Sequence, residues 1–77
     1  MKYQVSYYYE DGSYDLLLNR SYKSDIDAFK GEDLRVKENY ENPKKRNINH
    51  FVLYRYVPQR CDYKHIITQC YKGKEMA

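Results

Sequence analysis

The stretch YQVSYYYEDGSYDLLLNR, Tyr3 to Arg20, reads as one antiparallel hairpin turning at Asp11-Gly12. Asp-Gly between alternating runs suits a two-residue type I′ turn, because both central residues take positive φ and glycine does so without steric cost. Counting outward pairs Tyr9 with Tyr14, Tyr7 with Leu16, Val5 with Leu18 and Tyr3 with Arg20. Successive strand residues point to opposite faces, so Tyr3, Val5, Tyr7, Tyr9, Tyr14, Leu16 and Leu18 share one side. Gln4, Ser6, Tyr8, Asp15, Leu17 and Asn19 take the other. A lone hairpin is only marginally stable in water, so its apolar side needs cover from further along the chain.

That cover is a helix. Ser24-Asp25-Ile26-Asp27 is a helix start, with serine as N-cap and two aspartates at the positive end of the dipole. Two readings of its length stand side by side. Gly31 is the residue type commonest just past a helix end, which stops the helix near Lys30. A continuous helix from Asp25 to Tyr40 aligns Ile26, Phe29, Val36 and Tyr40 but places Asp33 among them; the spacings Asp33 to Lys37 and Glu32 to Arg35 favour it as helical ion pairs. Asn42-Pro43 ends whatever precedes it, since the residue before proline is pushed away from helical angles.

Phe51 to Val57 is rich in aromatic and β-branched residues and reads as a third strand closed by Pro58; Tyr63 to Tyr71 reads as a fourth, paired with it across the 58–62 connection. Phe51, Leu53 and Val57 share a side with Arg55, and burying an unpaired arginine is expensive. Either Arg55 lies near an edge or the side bearing Val52, Tyr54 and Tyr56 faces the core. The fold class is therefore α+β: a small antiparallel sheet of four strands, with a fifth allowed, and one helix on one face. Residues 1–71 form the single domain and residues 72–77 a tail with little to bury.

With 77 residues the chain has material for one small core. No apolar run approaches the roughly 20 residues that span a bilayer. The opening Met1-Lys2-Tyr3 passes straight into strand pattern without an apolar leader, and the expected location is the cytoplasm. Cys61 and Cys70 stand on a segment read as extended, roughly 30 Å apart at about 3.3 Å per residue, too far for a disulfide. They are expected as free thiols, in keeping with a reducing compartment.

Chemistry is poorly represented. Cys61, His65, Cys70 and His50 lack the close ligand pairs of zinc sites, and no Cys-His pair is placed for nucleophilic attack. Asp25, Asp27, Glu32 and Asp33 are accounted for by the helix start and by ion pairs. Gly12, Gly31 and Gly73 each stand alone, so there is no glycine-rich phosphate loop. The expectation is a non-enzyme with no cofactor and no metal.

Composition points to contact. Eleven tyrosines stand beside no tryptophan, and tyrosine suits both half-buried strands and recognition surfaces. One helix covers one side of a sheet, leaving Tyr8 and Leu17 on the other, together with Tyr54 and Tyr56 if Phe51 and Leu53 point inward. The leading expectation is a protein-binding module that occupies a surface of a larger protein. No motif assigns a family; small phage-encoded inhibitors of host or defence proteins are comparable in size and composition. A second class is single-stranded nucleic-acid binding, with bases on the sheet tyrosines and phosphates on Lys44, Lys45, Arg46, Arg55, Arg60 and Lys64. The net charge of +3 is mild for that role. The basic residues serve equally for an acidic protein surface, and a homodimer built on the aromatic face is a third class.

Overall fold

The computed structural model describes residues 1–38 and 47–71. In chain order these form β1 (Lys2–Tyr9), β2 (Tyr14–Ser21), α1 (Asp25–Glu38), β3 (Ile48–Val57), a 3-10 turn (Pro58–Arg60) and β4 (Asp62–Cys70). The strands make one antiparallel sheet in the order β2-β1-β3-β4, and α1 lies across one face. The expected α+β class holds with four strands. Of the basic residues expected at a contact, Lys44, Lys45 and Arg46 fall outside the described residues, as do Tyr40, Asn42-Pro43 and the 72–77 tail.

The hairpin turns at Asp11-Gly12, but not as a type I′ turn. Gly12 N–H donates to Tyr9 O and Tyr9 N–H to Ser13 O, so the loop comprises Glu10, Asp11 and Gly12. Only Gly12 has positive φ there, at 89°. This is the three-residue hairpin with a glycine bulge, and the Asp11 carboxylate holds it by accepting from Ser13 N–H at 2.8 Å and from the Ser13 hydroxyl. The extra loop residue is compensated at a second bulge. Val5 still faces Leu18 and Tyr3 faces Arg20, yet Tyr7 faces Asp15 and Tyr8 faces Tyr14. Leu17 takes φ 55° and donates its N–H to the Ser6 hydroxyl at 3.0 Å.

Three residues therefore change place relative to the expected register. Asp15 moves to the helix side, Tyr14 moves to the open side, and Leu16 is 49% exposed rather than in the core. The physical reason is acceptor supply: Asp15 on the helix side accepts from the Tyr9 hydroxyl at 2.7 Å, where a leucine would leave that hydroxyl without it.

Ser24 caps α1 by accepting from Asp27 N–H at 3.1 Å. The helix runs through Gly31 to Glu38, which settles its length in favour of the continuous reading. Glycine is required there for clearance, since a Cβ at Gly31 would lie 2.6 Å from the Tyr22 ring. Ile26 is not on the inward stripe; it is 64% exposed, and the helix turns Ala28 and Glu32 fully inward with Phe29 and Val36 beside them. The apolar core comprises Tyr3, Val5, Tyr7, Tyr9, Ala28, Phe51, Leu53 and Tyr71. Burying side chains such as Phe51 and Leu53 contributes about 1.5–3 kcal/mol each.

Polar staples complete the joint between helix and sheet. Glu32, buried completely, accepts from the hydroxyls of Tyr7 and Tyr22 and from Arg20 Nε at 3.0 Å, with Arg35 Nε at 3.9 Å. Asp25 accepts from the Tyr3 hydroxyl at 2.7 Å and from Arg55 Nε at 2.9 Å. Asp33 accepts from the Tyr71 hydroxyl and pairs with Lys37 at 2.8 Å. Arg55 thus takes neither expected position: it stands on the core side of β3, and Asp25 at the head of the helix neutralises it.

Two measurements check this joint. Gly31→Ala is expected to lower stability by about 1–3 kcal/mol in urea unfolding through overpacking against Tyr22, and to raise it by up to about 1 kcal/mol in a Tyr22→Ala background, where only alanine's helix preference remains. Glu32→Gln is expected to cost about 3–5 kcal/mol, because Arg20 and the two hydroxyls lose a buried charged partner.

Candidate functional site

The side of the sheet away from α1 is assembled from alternate residues of all four strands. Lys2, Gln4, Ser6 and Tyr8 come from β1, Tyr14 and Asn19 from β2, His50, Val52, Tyr54 and Tyr56 from β3, and Tyr63, His65, Thr68 and Cys70 from β4. Cross-strand pairing sets these in rows. Tyr8 stacks on His50 at 4.5 Å between ring centres and 12° between planes, with Tyr14 on its other side at 6.3 Å. Four residues further along β3, about 13 Å away at 3.3 Å per residue, Tyr54 meets His65 edge-on at 6.1 Å. Tyr56 lies 5.3 Å from Tyr63 and carries the Lys2 ammonium 4.8 Å above its ring centre. Between the aromatic groups, Ser6, Val52 and Thr68 form a lower middle row.

Of the residues expected at a contact surface, Tyr8, Tyr54 and Tyr56 lie on this one face and are half-buried among their neighbours. Leu17 is 53% exposed at the β2 bulge opposite Ser6. The basic residues expected beside them disperse. Arg55 faces the helix and is paired with Asp25. Lys64 is exposed on the edge strand opposite Arg55, and Arg60 is exposed in the 3-10 turn. Tyr14, His50, Tyr63 and His65 belong to the aromatic face but were not among the expected contacts. Strand alternation carried through β4 is the signal that finds Tyr63; Tyr14 required knowledge of the bulge.

The described tyrosines divide into two sets by face. Tyr3, Tyr7, Tyr9, Tyr22 and Tyr71 hold their hydroxyls on carboxylates on the helix side of the sheet. Burial, reinforced by the neighbouring carboxylate, raises Tyr3 to about 12 and pushes Tyr7, Tyr22 and Tyr71 well above the ordinary tyrosine value. Tyr8, Tyr14, Tyr54, Tyr56 and Tyr63 instead make ring contacts with one another, with the histidines and with Lys2.

On the helix side, a cavity of about 50 Å³ is bordered by Tyr7, Tyr9, Asp15, Arg20 and Arg35. That is room for a few waters, far below the roughly 300 Å³ at which ligand pockets begin. An open depression of about 330 Å³ lies along Lys2, Tyr3 and Asn19 to Ser21. Among the described residues, no group of three or more His, Cys, Asp or Glu side chains is placed to hold a metal ion. Cys61 and Cys70 are exposed free thiols near opposite ends of β4. No helix among the described residues is long and apolar enough to cross a membrane.

No protein-family model, curated protein or solved structure matches the chain.

The division of the tyrosines has a measurable consequence at high pH. A tyrosine is neutral when protonated, so a raised folded value means that the native state keeps protons the unfolded chain releases above about pH 10. The stabilisation is complete below that pH and is lost as the pH climbs through the folded value, about 12 for Tyr3. Alkaline titration should therefore show Tyr3, Tyr7, Tyr22 and Tyr71 ionising together with loss of the circular-dichroism signal. Their ionisation in a still folded chain would contradict the staples.

Proposed function

We propose that this protein is a non-catalytic, cytoplasmic binding module that acts by occupying a surface of a larger protein, in the manner of a small inhibitor. The observation that carries the reading is the aromatic face: five tyrosines and two histidines on one side of the sheet that no other described element covers. Exposed aromatic patches on small domains mark contact surfaces, where rigid rings supply area at small entropic cost. Two exposed thiols suit a reducing compartment. The small helix-side cavity, whose arginines already lean on Glu32, leaves little space for a substrate.

Nucleic-acid binding draws less support from the geometry. Base stacking needs accessible ring faces, yet Tyr8 is flanked by His50 and Tyr14, and one face of Tyr56 is capped by Lys2. Arg55, the cation set between the two tyrosines in sequence, is spent on Asp25. An edge-paired homodimer is disfavoured by the bulges in both edge strands, at Leu16-Leu17 and at Ile66.

Affinity capture from the native host with the tagged chain tests the proposal. Tyr54→Ala combined with Tyr56→Ala is expected to abolish capture of a protein partner while leaving the circular-dichroism spectrum intact. Undiminished capture by that variant would move the contact off this face.

A further inference from the structure

Charge is distributed unevenly between the two sides of the sheet. Every carboxylate used in the helix joint, Asp15, Asp25, Glu32 and Asp33, lies on the helix side. None of the residues that strand pairing places on the aromatic face carries one. At the end of the sheet where β1 begins and β3 passes into the 3-10 turn, Lys2 lies over the Tyr56 ring and Arg60 is exposed in the turn that joins Tyr56 to Tyr63. Asp62 and Lys64, opposite Val57 and Arg55, fall on the helix side of the sheet. Neither Lys2 nor Arg60 makes an ion pair among the described residues.

The rings add to the same polarity. With their faces turned to neighbours, Tyr8 and Tyr56 offer partners ring edges and hydroxyls, and the edge of an aromatic ring is its positive part. Hydroxyls, imidazoles and ammonium groups here present hydrogen-bond donors without a charged acceptor among them. An incoming carboxylate meets donors and cations; an incoming lysine or arginine meets neutral oxygens but no carboxylate.

Resting on the protein-binding reading above, we infer that the aromatic face docks an acidic segment of its partner, whose carboxylates meet Lys2 and Arg60 while its apolar side chains lie along Tyr54, Tyr56 and Tyr63. Nucleic acid would satisfy the same charges. The partner is assigned as protein because Tyr8 and Tyr56, two of the rings that bases would stack on, already carry His50 and Lys2 against a face.

Isotope-labelled protein titrated at low salt with three probes tests this: a short blocked peptide of glutamate and leucine, a peptide of serine and leucine of equal length, and a thymidine oligonucleotide of similar length. The acidic peptide is expected to shift the amide resonances of Lys2, Tyr54, Tyr56 and Tyr63, and Lys2→Glu with Arg60→Glu is expected to weaken it about tenfold. Both positions are exposed, and an unchanged melting temperature verifies that the variant is folded. Equal shifts by the neutral peptide, or no effect of charge reversal, overturn the acidic assignment and leave the protein-binding reading standing. Tighter binding by the oligonucleotide overturns both, as does the absence of shifts on this face with either peptide at millimolar concentration.

Discussion

The structure depends on a helix held to its sheet by tyrosine hydroxyls donating to helix carboxylates. An amphipathic helix of this length ordinarily turns a stripe of leucines inward, whereas α1 buries only Ala28 and Glu32 completely. The sheet supplies what the helix lacks. Tyr3, Tyr7, Tyr22 and Tyr71 each bring a large ring for the core and a donor at its tip, and Asp25, Glu32 and Asp33 receive those donors at intervals along α1. A buried carboxylate is tolerable only when its acceptors are used, and Glu32 has two hydroxyls and two arginines around it. The joint is specific in angle and register because donors must reach acceptors, a demand that leucine packing alone does not make.

This joint divides the molecule into two unlike sides. Carboxylates are drawn to the helix side by the hydroxyls they serve, and the opposite side is left with rings, imidazoles, small hydroxyls and a lysine. One helix has one inner surface, so nothing described in the chain covers the second face of the sheet. The bulge at Leu16-Leu17 serves both sides: it hands Asp15 to Tyr9 on the helix side and places Tyr14 beside Tyr8 on the other. It also interrupts the edge of β2, which discourages strand addition there.

Most of the fold was legible from local signals. Alternation located all four strands, Ser24 marked the helix start, Pro58 closed β3, and the third and fourth strands pair across the expected connection. Placement of Tyr8, Tyr54 and Tyr56 on one face followed from the same alternation. The departures share a cause. Alternation and turn chemistry make the Asp-Gly turn one residue too tight, leave the helix length open at Gly31, and offer Arg55 either an edge or a β3 whose tyrosine side faces the core; in each case contacts made in the folded chain decide the outcome.

What the sequence determined by itself is therefore the set of elements, the start of the helix and the side of the sheet on which most strand residues fall, because these follow from steric preferences and alternation among residues close along the chain. Tertiary structure alone decided the length of the helix, the bulge that exchanges Asp15 and Tyr14, and the fate of Arg55. Those depend on the Tyr22 ring against Gly31, on the Tyr9 hydroxyl reaching Asp15 and on Asp25 meeting Arg55. Clearance and charge neutralisation are properties of atoms brought together from separate strands and the helix, and they exist only once the chain has folded.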